Sequence, residues 1–301
     1  HESKQHNRGK SMGAIKHQEF IVDADRLGSR YGGVPVIYVE SEEDHYVFGE
    51  CWFREHLSKV EFTPASTKAP ASGCIGVISA VNAERQAGNP AWGIVDRDSV
   101  MAKNLWHLVY ETNDGKFDAA QPFGSAIKVL CRWEMESYLV DGEALEHFRA
   151  ASAKQAPRQL DKVYEELYDD CQALIPHAAI NAVLHTNNQK GLKDTYTNRF
   201  SSRDQVDTDV KSVKLSKLPP SATVDYAQHI AQVDAFDAPL AGAKERENGL
   251  LRRVHGKALL ERFRSKNNMP ELDGALAKRI EENSRVPAEI ENFVSHVIST
   301  N

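Results

Sequence analysis

The run VPVIYVE at residues 34–40, followed at once by Ser41-Glu42-Glu43-Asp44, decides the fold. Entered through Gly32-Gly33, its β-branched and aromatic residues predict a buried strand. The acids after it suit the positive end of a new helix, and Tyr46, Val47, Cys51, Phe53 and Leu57 then fall near helical spacing. The same alternation continues along the chain. KVEFTP (59–64) predicts a second strand, and CIGVISAVNAER (74–85) a helix whose start also fits a strand. AWGIV (91–95) is a third strand ending in Asp96-Arg97-Asp98, and IKVLC (127–131) a fourth, followed by Arg132-Trp133-Glu134-Met135-Glu136. Strands alternating with helices predict an α/β fold with a mostly parallel sheet flanked by helices, where ligands lie beyond the carboxyl ends of the strands. Glu40 and the Asp96/Asp98 pair stand at such ends.

Beyond residue 140 the strand signal fades. Leu160, Val163, Leu167, Cys171 and Leu174 form a helical stripe, Leu250, Leu251, Val254, Leu259, Leu260 and Phe263 mark another helix, and Pro287 opens a last one. Between them, 187–224 is polar, contains Gly and Pro, and reads as a long loop. Three regions are expected: an N-terminal arm at 1–29 that includes a tag or frayed segment, a catalytic α/β domain at 30–140, and a mainly helical domain at 141–301.

The 301 residues carry 37 basic and 43 acidic side chains, a net charge of -6, which excludes a histone-like protein but not a local nucleic-acid patch. Residues 30–140 hold fifteen acids against ten bases, so the excess negative charge concentrates where the strand-end carboxylates are. Residues 244–266 invert this, with eight bases against three acids. Arg252, Arg253, Arg262 and Arg264 are candidates there for guiding a phosphate backbone, with a solvated, ion-paired helix face as the plain alternative. The four cysteines show no CxxC spacing and read as reduced cytosolic thiols. No apolar run is long enough for a membrane span and no secretory h-region is visible, so a cytoplasmic location without membrane contact is expected.

Glu40, Asp44, Asp96, Asp98 and Glu136 are hard oxygen donors that a parallel sheet can converge on one crevice. They suit Mg2+, or Mn2+ in its place, in one or two ions bridging to phosphate oxygens. In the D-x-D, Arg97 should point away so that both carboxylates face the same side. Glu134 also follows the fourth strand, but Glu136 is the preferred ligand of the two. Asp44 has a competing role as a first-turn helix acid.

VPVIYVESEEDHYVF together with IVDRDS resembles the Toprim domain, defined by a glutamate after the first strand and a DxD after a later one. The closer likeness, adding WEMESYLV and a weaker echo at VHGKALLERF, is to a Toprim-like nuclease family of bacterial anti-phage defence, related to the overcoming-lysogenization-defect nucleases and similar to the Toprim effector of the PARIS system. The resemblance implies a toxic endonuclease cutting DNA or RNA, tRNA included, beside an ABC-type ATPase partner. A homodimer is compatible with it. It also implies that Glu40 is metal ligand or general acid/base, that Asp96 and Asp98 hold Mg2+, that Asp44 and Glu136 serve a second ion, and that Lys257 neutralises the pentacovalent phosphate. Ser41 replaces the glycine of the commoner turn, which reduces backbone freedom there.

Two other readings stay open. DRDSV also fits the DxDx[TV] signature of haloacid-dehalogenase-like phosphatases with Asp96 as nucleophile, and a non-catalytic, Toprim-shaped regulator of an ATPase needs none of this chemistry. No GxxxxGK[ST], GxSxG or HExxH occurs.

Overall fold

Four parallel strands, β1 (Val36–Val39), β2 (Glu61–Pro64), β3 (Ala91–Val95) and β4 (Ile127–Val129), form one sheet in the order β2-β1-β3-β4. The computed structural model describes residues 33–68 and 73–300, and the arm expected at 1–29 lies outside the described residues. Between the strands and after them run α1 (Glu42–His45), α2 (Gly73–Gln86), α3 (Asp98–Ala102), α4 (Trp106–Val109), α5 (Asp114–Ala120), α6 (Gly142–Ala153), α7 (Leu160–Thr186) and α8 (Arg203–Asp209). The chain ends in α9 (Ser221–Asp234), α10 (Ala243–Leu250), α11 (Gly256–Asn267), α12 (Asp273–Glu282) and α13 (Ala288–Ser299). The α/β class with a helical C-terminal region is as the sequence predicts.

The order has one consequence for function. From β1 the chain steps to β2 on one side, then crosses to β3 on the other, so the connections diverge from β1. Such a switch point leaves a crevice outside the carboxyl ends of the two central strands. Register pairs Val36 with Ala91 and Tyr38 with Gly93, which brings the ends carrying Glu40 and Asp96 side by side.

Side chains alternate across the sheet. Ile37, Val39, Trp92 and Ile94 enter one core, which continues into Leu145, Leu174, Leu250 and Phe263 of the helical half. Tyr38, Val95, Ile127 and Val129 enter another with Val77 and Val81 of α2. Covering both faces explains why these strands read as unbroken apolar runs. Residues Val34–Asn301 form one compact unit, the shared core crossing the compositional boundary near 140. The four cysteines are free thiols, and no helix of the described residues is long and apolar enough to cross a membrane.

Three local readings need correction. The helix expected after Glu40 lasts four residues and widens into a π-helical turn over Tyr46–Trp52. There Phe48 and Trp52 meet edge to face, and the Trp52 indole N–H donates to the Ala277 carbonyl at 3.0 Å. The polar loop at 187–224 holds short helices, because Val206, Val210 and Leu215 suffice to pin them against α7. The single helix read through 250–263 is two helices, α10 and α11, whose connection is drawn to the sheet by the Trp133 N–H donating to the Leu251 carbonyl at 2.9 Å.

Candidate active site

Glu40 follows β1 directly, and one of its oxygens, Oε1, accepts the backbone N–H of Asp96 at 2.9 Å. The backbone of Cys74, in the first turn of α2, hydrogen-bonds it too. Ser41 is extended (φ -138°) and forms a capping box with Asp44, its hydroxyl accepting the Asp44 N–H and the Asp44 carboxylate accepting the Ser41 N–H, each at 3.0 Å. A glycine's freedom is therefore not required at Ser41, and serine supplies the better helix start. Asp44 fills its first-turn role and is at the same time buried beside the strand ends.

Asp96 accepts the backbone N–H of Met135 at 2.9 Å, and the Asp98 N–H donates to the Trp133 carbonyl at 3.3 Å. Both acids after β3 are thereby tied to the turn after β4. Between them Arg97 points away as expected. It is fully buried, donates to the carbonyls of Cys131, Leu108 and Glu111, and lies 4.0 Å over the Phe117 ring. From the turn after β4, Glu134 accepts the backbone N–H of Lys257 at 2.7 Å, and Glu136 faces the Lys257 ammonium at 3.4 Å. Lys257 itself is 58% exposed. Its helix comes this close because residue 256 is glycine: a Cβ there would lie 2.3 Å from the Ser137 nitrogen.

Crowding of like charge in a partly dry crevice raises proton affinity. Burial, then the charges of Asp98 and Asp44, push Glu40 up to about 8 against the two backbone hydrogen bonds. Burial and Glu136 push Asp44 up to about 7. Asp96 is raised well above the ordinary carboxylate range by burial and by Glu40, Asp44 and Asp98. Asp98 stays exposed at the rim, yet the protein around it and Glu136 bring it to about 6. Glu134 is raised by burial and by Glu136.

The structure thus brings Glu40, Asp44, Asp96, Asp98, Glu136 and Lys257 to one crevice. Among the described residues no three His, Cys, Asp or Glu side chains close on one point tightly enough to hold a metal ion. The donor set is gathered but spread. Its chemistry fits a divalent cation, since several hard oxygens share a site where Lys257 pairs with Glu136 alone and the charge of Arg253 acts on Asp98.

The four arginines expected to guide a phosphate backbone do not form an open basic face. Arg253 is fully buried, donates to the Ala178 carbonyl at 3.0 Å and lies 4.2 Å over the Trp133 ring. Arg262 is buried too, bound to Asp170 at 2.5 Å and to the carbonyls of Thr197 and Phe200. Arg252 holds Asp114 through two hydrogen bonds, and Arg264 pairs with Glu261 and Asp273. Arg262 and Arg264 lie on α11, whose inner face is buried, and Arg252 and Arg253 lie in the connection between α10 and α11, which packs against the turn after β4.

Glu134 is the residue the sequence reading undervalued. Acids at a helix start are ordinary, and its partner is a backbone N–H from a helix 123 residues away. Compared with protein-family models, with curated proteins and with solved structures, the chain matches none.

Proposed function

We propose that the chain is a Mg2+-dependent nuclease that hydrolyses phosphodiester bonds in DNA or RNA. The observation that carries this reading is the hydrogen bond from the Asp96 N–H to Glu40 at the β1/β3 switch point, around which Asp44, Asp98 and Glu136 gather, with Glu40, Asp44, Asp96 and Asp98 all raised in proton affinity. Such an excess of carboxylate oxygens is what two divalent ions and a phosphate together would balance. Glu40, Asp96 and Asp98 would hold one ion, and Asp44 and Glu136 would serve a second. When bound, the ions supply polarisation of a phosphoryl oxygen and a water acidic enough to attack near neutral pH.

The chain's own side chains supply the rest. Glu40, oriented by two backbone hydrogen bonds, takes and returns a proton. Lys257 turns from Glu136 toward the phosphate and offsets charge that develops on its oxygens. Glu134 holds the start of α11 and so sets where that ammonium stands. As the Toprim-like resemblance implies, an ABC-type ATPase partner would restrain or release this activity in an anti-phage setting.

Incubation of the purified chain and of Glu40→Ala with Mg2+ and separate DNA and RNA pools, with and without the partner ATPase, tests the reading. Cleavage by the parent chain and its loss in the variant are expected. No metal-dependent cleavage in either pool sinks it, and an aspartyl-phosphate trapped at Asp96 would point to phosphatase chemistry instead.

A further inference from the structure

Beside the carboxylate crevice and sharing Glu136 and Lys257 with it lies a cleft of about 470 Å3. That volume falls within the range of small-molecule sites, about 300–1,000 Å3. One wall is the Tyr46 ring, 40% exposed. The ring is held by α12: a Cβ on Gly274, which also lines the cleft, would come within 2.6 Å of it, and the Lys278 ammonium lies 5.8 Å from its centre. Val47, Met135 and Leu272 add apolar surface. The polar groups of the far wall are carboxylates. Arg264 engages Asp273, whereas the side chains of Glu42, Glu43 and Glu271 have no hydrogen-bonded or ionic partner among the described residues; Glu42 and Glu43 stand four and three positions before Tyr46 on its own segment, and Glu271 comes from the segment before α12.

We propose that this cleft takes one unstacked nucleobase of the substrate, guanine before the others, adjoining the phosphate that faces Lys257. The inference rests on the nuclease reading and deepens it. A phosphate backbone is repelled by the acidic wall, so a nucleotide has one favourable orientation, with phosphate at the Lys257 end and base in the cleft. A fixed, exposed aromatic ring is the usual platform for a splayed base. Carboxylates only accept hydrogen bonds, and of the four bases guanine alone offers two adjacent N–H donors, N1–H and N2–H, to a single carboxylate. Glu271 is that acceptor.

The test pairs calorimetry with cleavage. Guanosine and uridine 5′-monophosphates are titrated with Mg2+ into the parent chain, Tyr46→Ala, Tyr46→Phe and Glu271→Gln, and thermal melting checks that each variant is folded. Guanosine monophosphate should bind about tenfold tighter than the uridine nucleotide, and Tyr46→Ala should weaken it about tenfold while Tyr46→Phe does not. Glu271→Gln should remove the preference for guanine. Equal binding of the two nucleotides, no binding of either, or no change in Tyr46→Ala overturns the proposal. Oligonucleotide cleavage in parallel separates the two ideas. Cleavage without base selection in the cleft leaves the nuclease reading standing alone. Selective nucleotide binding through Tyr46 without cleavage of any nucleic acid leaves a nucleotide site and removes the nuclease.

Discussion

Glu40 accepts the Asp96 backbone N–H at 2.9 Å, so the acid that ends one central strand fixes the acid that begins the turn of the next. This hydrogen bond aligns the two ends, and burial with the crowding of acids around it raises the proton affinity of Glu40, Asp44 and Asp96.

The first prediction concerns pH. Unfolded, Glu40 and Asp44 lose their protons near their ordinary values of 4.5 and 3.8; folded, they keep them to about 8 and about 7. The buried Glu247, short of a partner on Oε1, behaves likewise, raised by burial to about 8. Over this range the folded state binds more protons than the unfolded one, so these groups lower stability as pH rises from about 4.5 to 8. His177 and His255 act oppositely. Burial lowers His177 to about 4 and His255 well below its ordinary 6.5, so each lowers stability as pH falls below 6.5. Because three raised carboxyls outweigh two lowered histidines above about pH 5, melting temperature of the metal-free chain should be highest near pH 4.5–5, fall steadily above it, and be lower at pH 8 than at pH 6 by roughly 5 °C or more. Mg2+ should restore the share of the loss at pH 8 that comes from Glu40 and Asp44, leave the Glu247 share, and do little at pH 5.5. A flat profile between pH 6 and 8 would contradict the charge crowding.

The approach of α11 to the turn after β4 gives a second prediction. Gly256→Ala forces a methyl against the Ser137 backbone and should cost about 1–3 kcal/mol in urea denaturation. Lys257→Met, one residue on, removes only a half-exposed ion pair and should change stability by less than about 1 kcal/mol. Its effect should appear instead as a loss of cleavage on the order of 100-fold. Equal destabilisation by both variants would mean that Lys257 is structural.

Buried Asp170 gives a third. It sits in α7 between Arg262 and Lys266, fully shielded from solvent. Arg262→Met should destabilise by about 3–5 kcal/mol by leaving that carboxylate short of its main partner, and adding Asp170→Leu should recover most of the loss. The salt dependence of nucleic-acid binding should be unaltered in the double variant, since Arg262 does not reach the surface.

At Ser41, alanine should cost about 1 kcal/mol and glycine only a few tenths, because both lose the capping hydroxyl but glycine better tolerates the cap backbone. Chemical denaturation distinguishes the two, and a glycine variant more stable than the parent would show that the capping box contributes nothing.

The strand ends were legible because buried parallel strands are short apolar runs and the first polar residue after each must face the crevice. Glu40 and Asp96 follow from that, and the alternation of D-x-D adds Asp98 and the inward turn of Arg97. The widened turn at Tyr46–Trp52 was not legible, since it depends on Trp52 reaching a carbonyl of α12. Nor was the fate of Arg253 and Arg262. A linear count of charge says how many cations a segment carries but not which way each points, and the side chains that bury them lie on α7 and around Thr197. Glu134 escaped for the same reason, its partner being main chain from a distant helix.

The core that Ile37, Val39, Trp92 and Ile94 share with Leu145, Leu174, Leu250 and Phe263 bears on how such a chain can diversify. The acid-bearing half is not a portable cassette. Cut free near residue 140, it would expose one face of its sheet and lose the lysine that α11 delivers, so it cannot be shuffled intact onto another scaffold. Change around the acids has to be acquired in place, at exposed positions such as Glu271 whose side chains carry no hydrogen bond or ion pair to the rest of the described residues.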